Sequence, residues 1–423
     1  MAKRTQRSTL ITGGLAAFGG WLAIDALLAG SLWKYQLFGL GLGGACVLPL
    51  ATLLVFGDRA RRLWRRLLFA TMPLLVLLLV AEAGVRAFGP TPELLGVLLR
   101  DARLGHRNEP GTEGTDARGF RNATARERTD VLFVGDSQTW GFGVDPDSTF
   151  AAQFGTATGR SSYQMANGSW GPVQYVELAR QGFALQPKWV VVTVYLGNDL
   201  VDAHDYAGLE GAADLRTAGV DYTVRDNPEF HGSQSPNLAM ALVDGALACS
   251  RVLDFAARVV KSRLQGGQFD AGANDVVFSD VRTGTILRPA YRLPAVDRAH
   301  RGPRDGLLVT QRAFVALASL GKQHGAEVCV LLLPTKELVY AKWLQSLGRP
   351  MPELAALQAA EQVALASLRD AATILGLRCF DLTNALQAEL QEGRAPWPAS
   401  GDGHLSAHGH RTVARFLLTI APR

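Results

Sequence analysis

The chain has 423 residues, of which 43 are basic and 38 acidic, so its formal net charge is +5 at pH 7. Nine of the basic residues lie within positions 1–66, and the remainder shows no basic cluster with interleaved aromatic residues, which argues against a nucleic-acid-binding protein. The four cysteines form no Cys-x-x-Cys pair and have no histidine at metal-ligand spacing, so we expect ordinary buried side chains, with a disulfide in an oxidising compartment as the alternative.

Three apolar stretches precede residue 90, and each approaches the ~20 residues that cross a bilayer as a helix. They are residues 10–30, 35–56 and 67–88. The first seven residues and the loop at 59–66 hold most of the flanking lysines and arginines, which places both on the cytoplasmic side. The sequence therefore predicts a multi-pass anchor at residues 1–89 in the plasma (inner) membrane, with a cytoplasmic N-terminus and everything that follows outside the cytoplasm. A cleaved signal peptide is the alternative for the first stretch.

Residues 90–129 are rich in Gly, Pro, Arg and Glu and are predicted to be a linker. In residues 130–423, short apolar strands alternate with amphipathic helices. The predicted strands are 131–134, 162–165, 189–195, 327–333 and 377–382, and the predicted helices are 149–159, 173–185, 308–324, 352–375 and 407–418. This alternation predicts an α/β fold with a parallel sheet between two layers of helices. Residues 200–307 interrupt the alternation and are predicted to be an insertion beside the active site, as a lid or a substrate platform.

Polar or glycine residues follow three of the predicted strands at the point where each strand ends. Ser137 after the first supplies a hydroxyl nucleophile, Gly168 after the second a close backbone N–H, and Asn198 after the third a side-chain amide. Because reactive groups of such sheets gather at the carboxyl ends of the strands, we expect these residues to lie together. Each segment taken alone is also an ordinary turn sequence.

Asp402 and His404 precede the last predicted helix. His404 can take the serine proton as a general base, and Asp402 can hold the imidazole tautomer and stabilise the imidazolium. Two more histidines follow within six residues, which makes a metal cluster the alternative, but no carboxylate or cysteine is paired with them at a usual spacing. The predicted site therefore has no metal, and it consists of the catalytic residues Ser137, His404 and Asp402 and the oxyanion donors Ser137, Gly168 and Asn198.

In these segments the chain resembles the SGNH, or GDSL-like, hydrolase superfamily. Gly135-Asp136-Ser137 is similar to its first block, Gly168 to its second, Gly197-Asn198-Asp199 to its third, and Asp402 with His404 to its last. The Asp-x-His spacing looks more like that of the alginate O-acetylation proteins. The resemblance implies a three-layer α/β/α, flavodoxin-like fold, ester or acyl chemistry, and no cofactor. Taken together with the three apolar stretches, the prediction is such a fold preceded by three transmembrane helices.

The segment that contains Lys336 and Tyr340 is also similar to one in the alginate O-acetylation relatives. The resemblance implies that both side chains contact substrate, with a surface ion pair as the alternative for Lys336. It also implies an acylated carbohydrate of the cell surface or an exported polysaccharide as substrate, and polysaccharide-biosynthesis membrane proteins as partners. The predicted function is a serine esterase that acts on O-acetyl groups through an acyl-enzyme on Ser137. An O-acyltransferase with the same triad and a non-catalytic scaffold for polysaccharide export are the alternatives.

Overall fold

The structure is a computed structural model that describes residues 98–111, 114–222, 274–279 and 283–422, with four single positions before residue 98. The three predicted membrane spans therefore lie outside the described residues, apart from isolated positions. In the part of the chain that is described, no helix has both the length and the apolarity that a bilayer crossing requires. The chain divides into two units, and the unit formed by residues 93–96, 100–225 and 268–423 contains all the features discussed below.

A five-stranded parallel sheet is the centre of this unit. Its strands are β1 (Val131–Gly135), β2 (Ser162–Ala166), β3 (Trp189–Tyr195), β4 (Glu327–Leu333) and β5 (Arg378–Asp381). Their spatial order is β2-β1-β3-β4-β5, and every neighbouring pair is parallel. The predicted parallel α/β sheet is confirmed. The chain adds β2 on one side of β1 and then β3 on the other side, so the order of the strands switches between β1 and β3. Ligands of such sheets bind outside the carboxyl ends of the strands at this switch point.

Ten helices, counted within the described residues, are used below. They are α1 (Ser137–Trp140), α2 (Phe150–Thr158), α3 (Pro172–Gly182), α4 (Asp199–Tyr206), α5 (Pro289–Val296), α6 (Arg301–His324), α7 (Lys336–Ser346), α8 (Ala355–Ile374), α9 (Thr383–Gln391) and α10 (Ala407–Ile420).

The core has two parts because the sheet is covered on both faces. Leu132 and Val134 of β1 belong to the part that includes α3, α4, α6 and α8. Val131 and Phe133, which point to the opposite face, belong to the part that includes α2, α7, α9 and α10. Successive side chains of a strand alternate between faces, so a strand that is apolar at every position serves both cores.

Helix α6 begins seven residues earlier than the predicted start at 308. Its first turns contain Gly302, Pro303 and Gly306, which the sequence presents as helix breakers. A glycine is needed at position 306 because α6 packs closely on α4 there. A Cβ atom at this position would lie 1.6 Å from the carbonyl oxygen of Leu200. The predicted insertion at 200–307 therefore ends inside a helix of the domain.

Much of the predicted linker at 90–129 packs against the domain and is not a separate connecting segment. The strand Gly105–Asn108 pairs with the segment before it, and both His106 and Asn108 are buried. Further along, the hydroxyl of Tyr163 on β2 donates a 2.6 Å hydrogen bond to Asp116. The sequence contains no long apolar run here because much of this packing is made by buried polar groups.

Candidate active site

Ser137 lies at the carboxyl end of β1 and opens the single helical turn α1. Asp136 caps this turn, with its Oδ1 accepting a 2.9 Å hydrogen bond from the Gln138 backbone N–H. Gly135 leaves room for the turn, because a Cβ atom there would lie 2.0 Å from the Thr139 hydroxyl oxygen. The Ser137 side chain is thus held at the sheet edge, where it is partly accessible.

The structure brings Ser137, His404 and Asp402 into one hydrogen-bonded chain. The Oγ of Ser137 lies 2.8 Å from Nε2 of His404, and Nδ1 of His404 lies 2.7 Å from Oδ1 of Asp402. The same carboxylate oxygen accepts the His404 backbone N–H at 3.0 Å. Phe142 lies against the imidazole, with 4.8 Å between ring centroids. A serine, a base and an orienting carboxylate in this order are what nucleophilic acyl transfer requires.

The electrostatics of Asp402 suit the orienting role. Burial by itself would raise the pKa of Asp402, but the hydrogen bonds and the charge of His404, with a smaller contribution from Lys336, bring that pKa below its ordinary value. Asp402 is therefore a carboxylate at neutral pH. As a carboxylate it accepts the Nδ1 proton of His404, which leaves Nε2 free to accept the proton of Ser137.

Two side chains outside the predicted triad and oxyanion donors hold residues 400–405, the histidine loop, which carries His404. Gln138 donates from Nε2 to the Gly403 carbonyl oxygen at 3.0 Å and accepts the Leu405 N–H at 3.1 Å. Lys336 donates from Nζ to the carbonyl oxygens of Ser400 (2.6 Å) and Asp402 (2.8 Å). The sequence analysis did not identify Gln138, although its position directly after Ser137 could have indicated a role at the site.

The predicted substrate contacts at Lys336 and Tyr340 do not fit their surroundings. Both side chains have no solvent exposure. Lys336 stabilises the histidine loop from inside, and burial lowers the pKa of its ammonium group to about 8. Tyr340 packs edge-on against Phe278 and Trp343 in the apolar core. The motif thus supports the site from beneath, and a direct contact with substrate would need both side chains to leave the core.

The two predicted oxyanion donors beyond Ser137 lie at the carboxyl ends of β2 and β3, on either side of β1. The Gly168 N–H donates to Oδ1 of Asn167 at 2.8 Å, and the Asn198 side chain donates to Oδ2 of Asp202 at 2.6 Å. The amide of Asn198 has a second N–H that this bond does not use. The oxyanion role of both residues stays a prediction, since hydrogen bonds in an empty site often tighten only with substrate present.

Two carboxyl groups near the catalytic serine are buried, those of Asp136 and Asp199. Burial raises the pKa of Asp136 to about 6, against the opposing effect of the Gln138 N–H. Burial beside Asp136 and Asp202 raises the pKa of Asp199 well above its ordinary value. Asp199 accepts hydrogen bonds from the Tyr195 N–H and the Tyr175 hydroxyl, both at 2.9 Å. These acids are fixed in the fold and are not in a position to replace Asp402.

The histidines that made a metal cluster an alternative are engaged separately. His410 is buried and its Nδ1 accepts the Phe150 N–H at 3.2 Å, while His408 lies 2.8 Å from Glu389. Within the described ranges, no group of three His, Cys, Asp or Glu side chains is arranged to hold a metal.

No known family profile and no curated protein matches the chain. Solved structures that resemble it include the extracellular lipase of Streptomyces rimosus, at 16% identity, covering 70% of this chain and 100% of the lipase, with a TM-score of 0.35. An acetylxylan esterase from Geobacillus stearothermophilus, solved as a catalytic variant, matches at 12% identity over 71% of this chain and 97% of its own, with a TM-score of 0.32. An α/β-hydrolase enzyme from the metagenome of Lake Arreo, Spain, matches at 14% identity over 70% and 95%, with a TM-score of 0.33. Such low identities and TM-scores carry no argument about activity, which therefore depends on the site itself.

Proposed function

We propose that this protein is a serine hydrolase that cleaves carboxylic esters through an acyl-enzyme on Ser137. The observation that carries the proposal is the unbroken chain of hydrogen bonds from Ser137 Oγ through His404 to Asp402, at 2.8 Å and 2.7 Å. Ser137 and His404 are 267 positions apart along the sequence and meet only because the fold places the end of β1 beside the loop that precedes α10. A chance surface cluster does not arrange a hydroxyl, an imidazole and a carboxylate in the order that acyl transfer needs.

The proposed reaction has two halves. Ser137 Oγ attacks the ester carbonyl while His404 Nε2 takes its proton, and the imidazolium then gives that proton to the departing alcohol oxygen. Water then attacks the acyl-enzyme while His404 takes its proton, and the imidazolium returns that proton to Ser137 Oγ as the acid departs. The Ser137 N–H, the Gly168 N–H and the second N–H of Asn198 are the proposed donors to the oxyanion.

The proposed substrate is an O-acetylated carbohydrate outside the cytoplasm. Support comes from the sequence: the apolar stretches and arginine distribution of residues 1–89 fit an anchor whose following domain faces outward. An enzyme tethered there meets cell-surface and exported polysaccharide, together with the membrane proteins that assemble it. If a sugar hydroxyl replaced water in the second half-reaction, the same residues would act as an acyltransferase.

The test uses the purified full chain with p-nitrophenyl acetate and with a fluorophosphonate probe. We expect turnover and labelling in the wild type, and loss of labelling with a fall in kcat of about 10⁴-fold or more in Ser137→Ala. Ser367→Ala, which alters a partly buried serine on α8, is the matched control. Labelling that persisted in Ser137→Ala would contradict the proposal, as would a wild type that neither reacts nor turns over. Acetyl transfer to an added glycan, measured by mass spectrometry, separates hydrolysis from transfer.

A further inference from the structure

The strand Gly105–Asn108, which lies in the predicted linker, packs against the loop that follows β2. This β2 loop, residues 167–171, contains Gly168, a proposed oxyanion donor. The imidazole Nε2 of His106 lies 2.8 Å from the Gly168 carbonyl oxygen. In the opposite direction, Nε1 of Trp170 donates to the His106 carbonyl oxygen at 3.1 Å. The strand and the loop are therefore joined by hydrogen bonds that run both ways.

The proton in the contact between His106 and Gly168 belongs to the imidazole, because a carbonyl oxygen only accepts. Burial lowers the pKa of His106 to about 4, against the opposing effects of the Gly168 carbonyl group and of Asp101. The ring is therefore neutral at pH 7 and carries its one N–H on Nε2. The rings of Trp170 and Tyr206 lie beside it, with centroid distances of 5.8 Å and 6.4 Å. His106 is thus a neutral hydrogen-bond donor that is held in place by its neighbours.

The β2 loop contains a backbone conformation that needs support from outside the loop. Ser169 has a φ of +58°, which lies in the left-handed region that residues other than glycine rarely adopt. Such a conformation persists where the surrounding contacts determine it, and it is common at functional sites. On one side of Ser169, the Gly168 carbonyl group accepts from His106. On the other side, the Gly171 N–H donates to Oε1 of Gln174 at 3.1 Å.

The direction of the Gly168 N–H depends on this support. A glycine is conformationally permissive, so a fixed carbonyl group restricts how far the N–H of the same residue can turn. At present this N–H donates to Oδ1 of Asn167 at 2.8 Å, and an oxyanion would have to replace that acceptor. The bond from His106 to the carbonyl oxygen does not involve the N–H, so it can hold the residue while the acceptor changes.

We propose that His106 is a positioning residue for catalysis, which holds Gly168 so that its backbone N–H can bind the developing oxyanion. This inference rests on the proposed ester hydrolysis and adds to the site a segment that the sequence presents as a linker. The active site is then complete only when the strand Gly105–Asn108 is packed against the β2 loop.

The experiment measures p-nitrophenyl acetate hydrolysis by the purified full chain in two variants of one position. His106→Leu removes the donor, whereas His106→Gln keeps an N–H donor close to the place of Nε2, and both lose the aromatic ring. We expect kcat to fall by about 10- to 100-fold in His106→Leu with little change in KM, because a displaced oxyanion donor affects the transition state. His106→Gln should recover most of the loss.

Binding of phenylboronic acid is a second measurement, because its tetrahedral adduct with a catalytic serine resembles the transition state. Its inhibition constant should weaken in His106→Leu and recover in His106→Gln, in parallel with kcat. Asn108→Leu is the matched control. Asn108 is also buried on this strand, but it donates to the Gly119 carbonyl oxygen at 3.1 Å, outside the β2 loop. Its kcat and its inhibition constant should remain as in the wild type.

Three results would overturn the inference: wild-type kcat in His106→Leu, a His106→Gln variant as slow as His106→Leu, or an equal loss of kcat in Asn108→Leu. A raised KM with unchanged kcat would also overturn it. If His106→Leu does not fold, His106→Phe, which keeps a ring without a donor, takes its place. Absence of p-nitrophenyl acetate turnover in the wild type would instead contradict the proposed ester hydrolysis, so the two failures are distinguishable.

Discussion

The serine turn and the histidine loop are the two halves of this site, and they are held in different ways. The serine turn follows a buried strand, and its cap, its glycine and its nucleophile lie within three consecutive residues, 135–137. The histidine loop, residues 400–405, has no regular structure. It is held by hydrogen bonds from three side chains that are distant in the sequence, those of Gln138, Thr285 and Lys336. Local sequence therefore determines one half of the site, while the tertiary fold determines the other.

The sharpest test of this contrast is Lys336→Met, which removes the internal support of the histidine loop. The change removes the Lys336 donor from the carbonyl oxygen of Asp402, and an unsatisfied buried group costs about 1–3 kcal/mol. The Ser400 carbonyl oxygen loses one donor as well, but it keeps the hydroxyl of Thr285. We expect the loop to shift and kcat for p-nitrophenyl acetate to fall by about 100-fold, because misplacement of a catalytic group by about 1 Å has costs of that order.

Lys342→Met on the same helix is the control for Lys336→Met, since it removes a lysine that is only partly buried. Fluorophosphonate labelling of Ser137 reports the same loss, because the serine needs His404 to react. Wild-type kcat in a folded Lys336→Met protein would show that the loop does not depend on internal support.

A smaller effect is expected from Gln138→Ala, which cuts the direct link between the two halves. Gln138 makes both a donor bond to Gly403 and an acceptor bond to the Leu405 N–H. With other supports still present, we expect kcat to fall by about tenfold with little change in KM, since the substrate does not contact this buried side chain. Steady-state kinetics measures the split between the two constants.

Gln153→Ala controls for the loss of a side chain–backbone bond, because Gln153 on α2 donates to the Ser148 carbonyl oxygen and neither residue belongs to the triad. A rise in KM with an unchanged kcat in Gln138→Ala would indicate a role in binding rather than in alignment.

The contrast also explains how much of the molecule was predictable. The strands at 189–195 and 327–333 have the predicted bounds, because continuous apolar runs between turns have few other interpretations. The three residues of the triad were also predicted from the sequence, because each follows a strand or precedes a helix. Features whose side chain and backbone contacts lie within one short segment could thus be predicted from the sequence.

What the sequence did not reveal depends on contacts between distant segments. Lys336 resembles a surface lysine in the sequence, and only the fold shows that its ammonium group faces the loop that carries Asp402. The early start of α6 depends on Gly306 meeting the backbone of Leu200. The packing of His106 depends on a 2.8 Å contact with the Gly168 carbonyl oxygen, 62 residues later. No periodicity marks these contacts, and the motif that contains Lys336 does not show which way its side chain faces.

The support of the histidine loop extends one step further, to Glu361, and its effect should appear in stability rather than in catalysis. Glu361 is fully buried and accepts hydrogen bonds from the N–H and hydroxyl of Thr335, at 2.7 Å and 2.6 Å, directly before Lys336. Burial raises the pKa of Glu361 from 4.5 to about 8. The folded state therefore holds this proton more tightly than the unfolded state, and its stabilising contribution, complete below about pH 4.5, is lost as the pH rises towards 8.

Glu361→Gln, which cannot titrate, should remove this part of the pH dependence. Between pH 5 and 8 we expect the wild type to lose on the order of 3–4 kcal/mol more unfolding free energy than the variant, because each pH unit between the two pKa values corresponds to about 1.4 kcal/mol. Denaturant unfolding followed by tryptophan fluorescence measures the difference, with Glu353→Gln, an exposed glutamate just before α8, as the control. Parallel stability curves for wild type and Glu361→Gln would mean that Glu361 is ionised in the folded protein and that the base of α7 is more hydrated than its burial indicates.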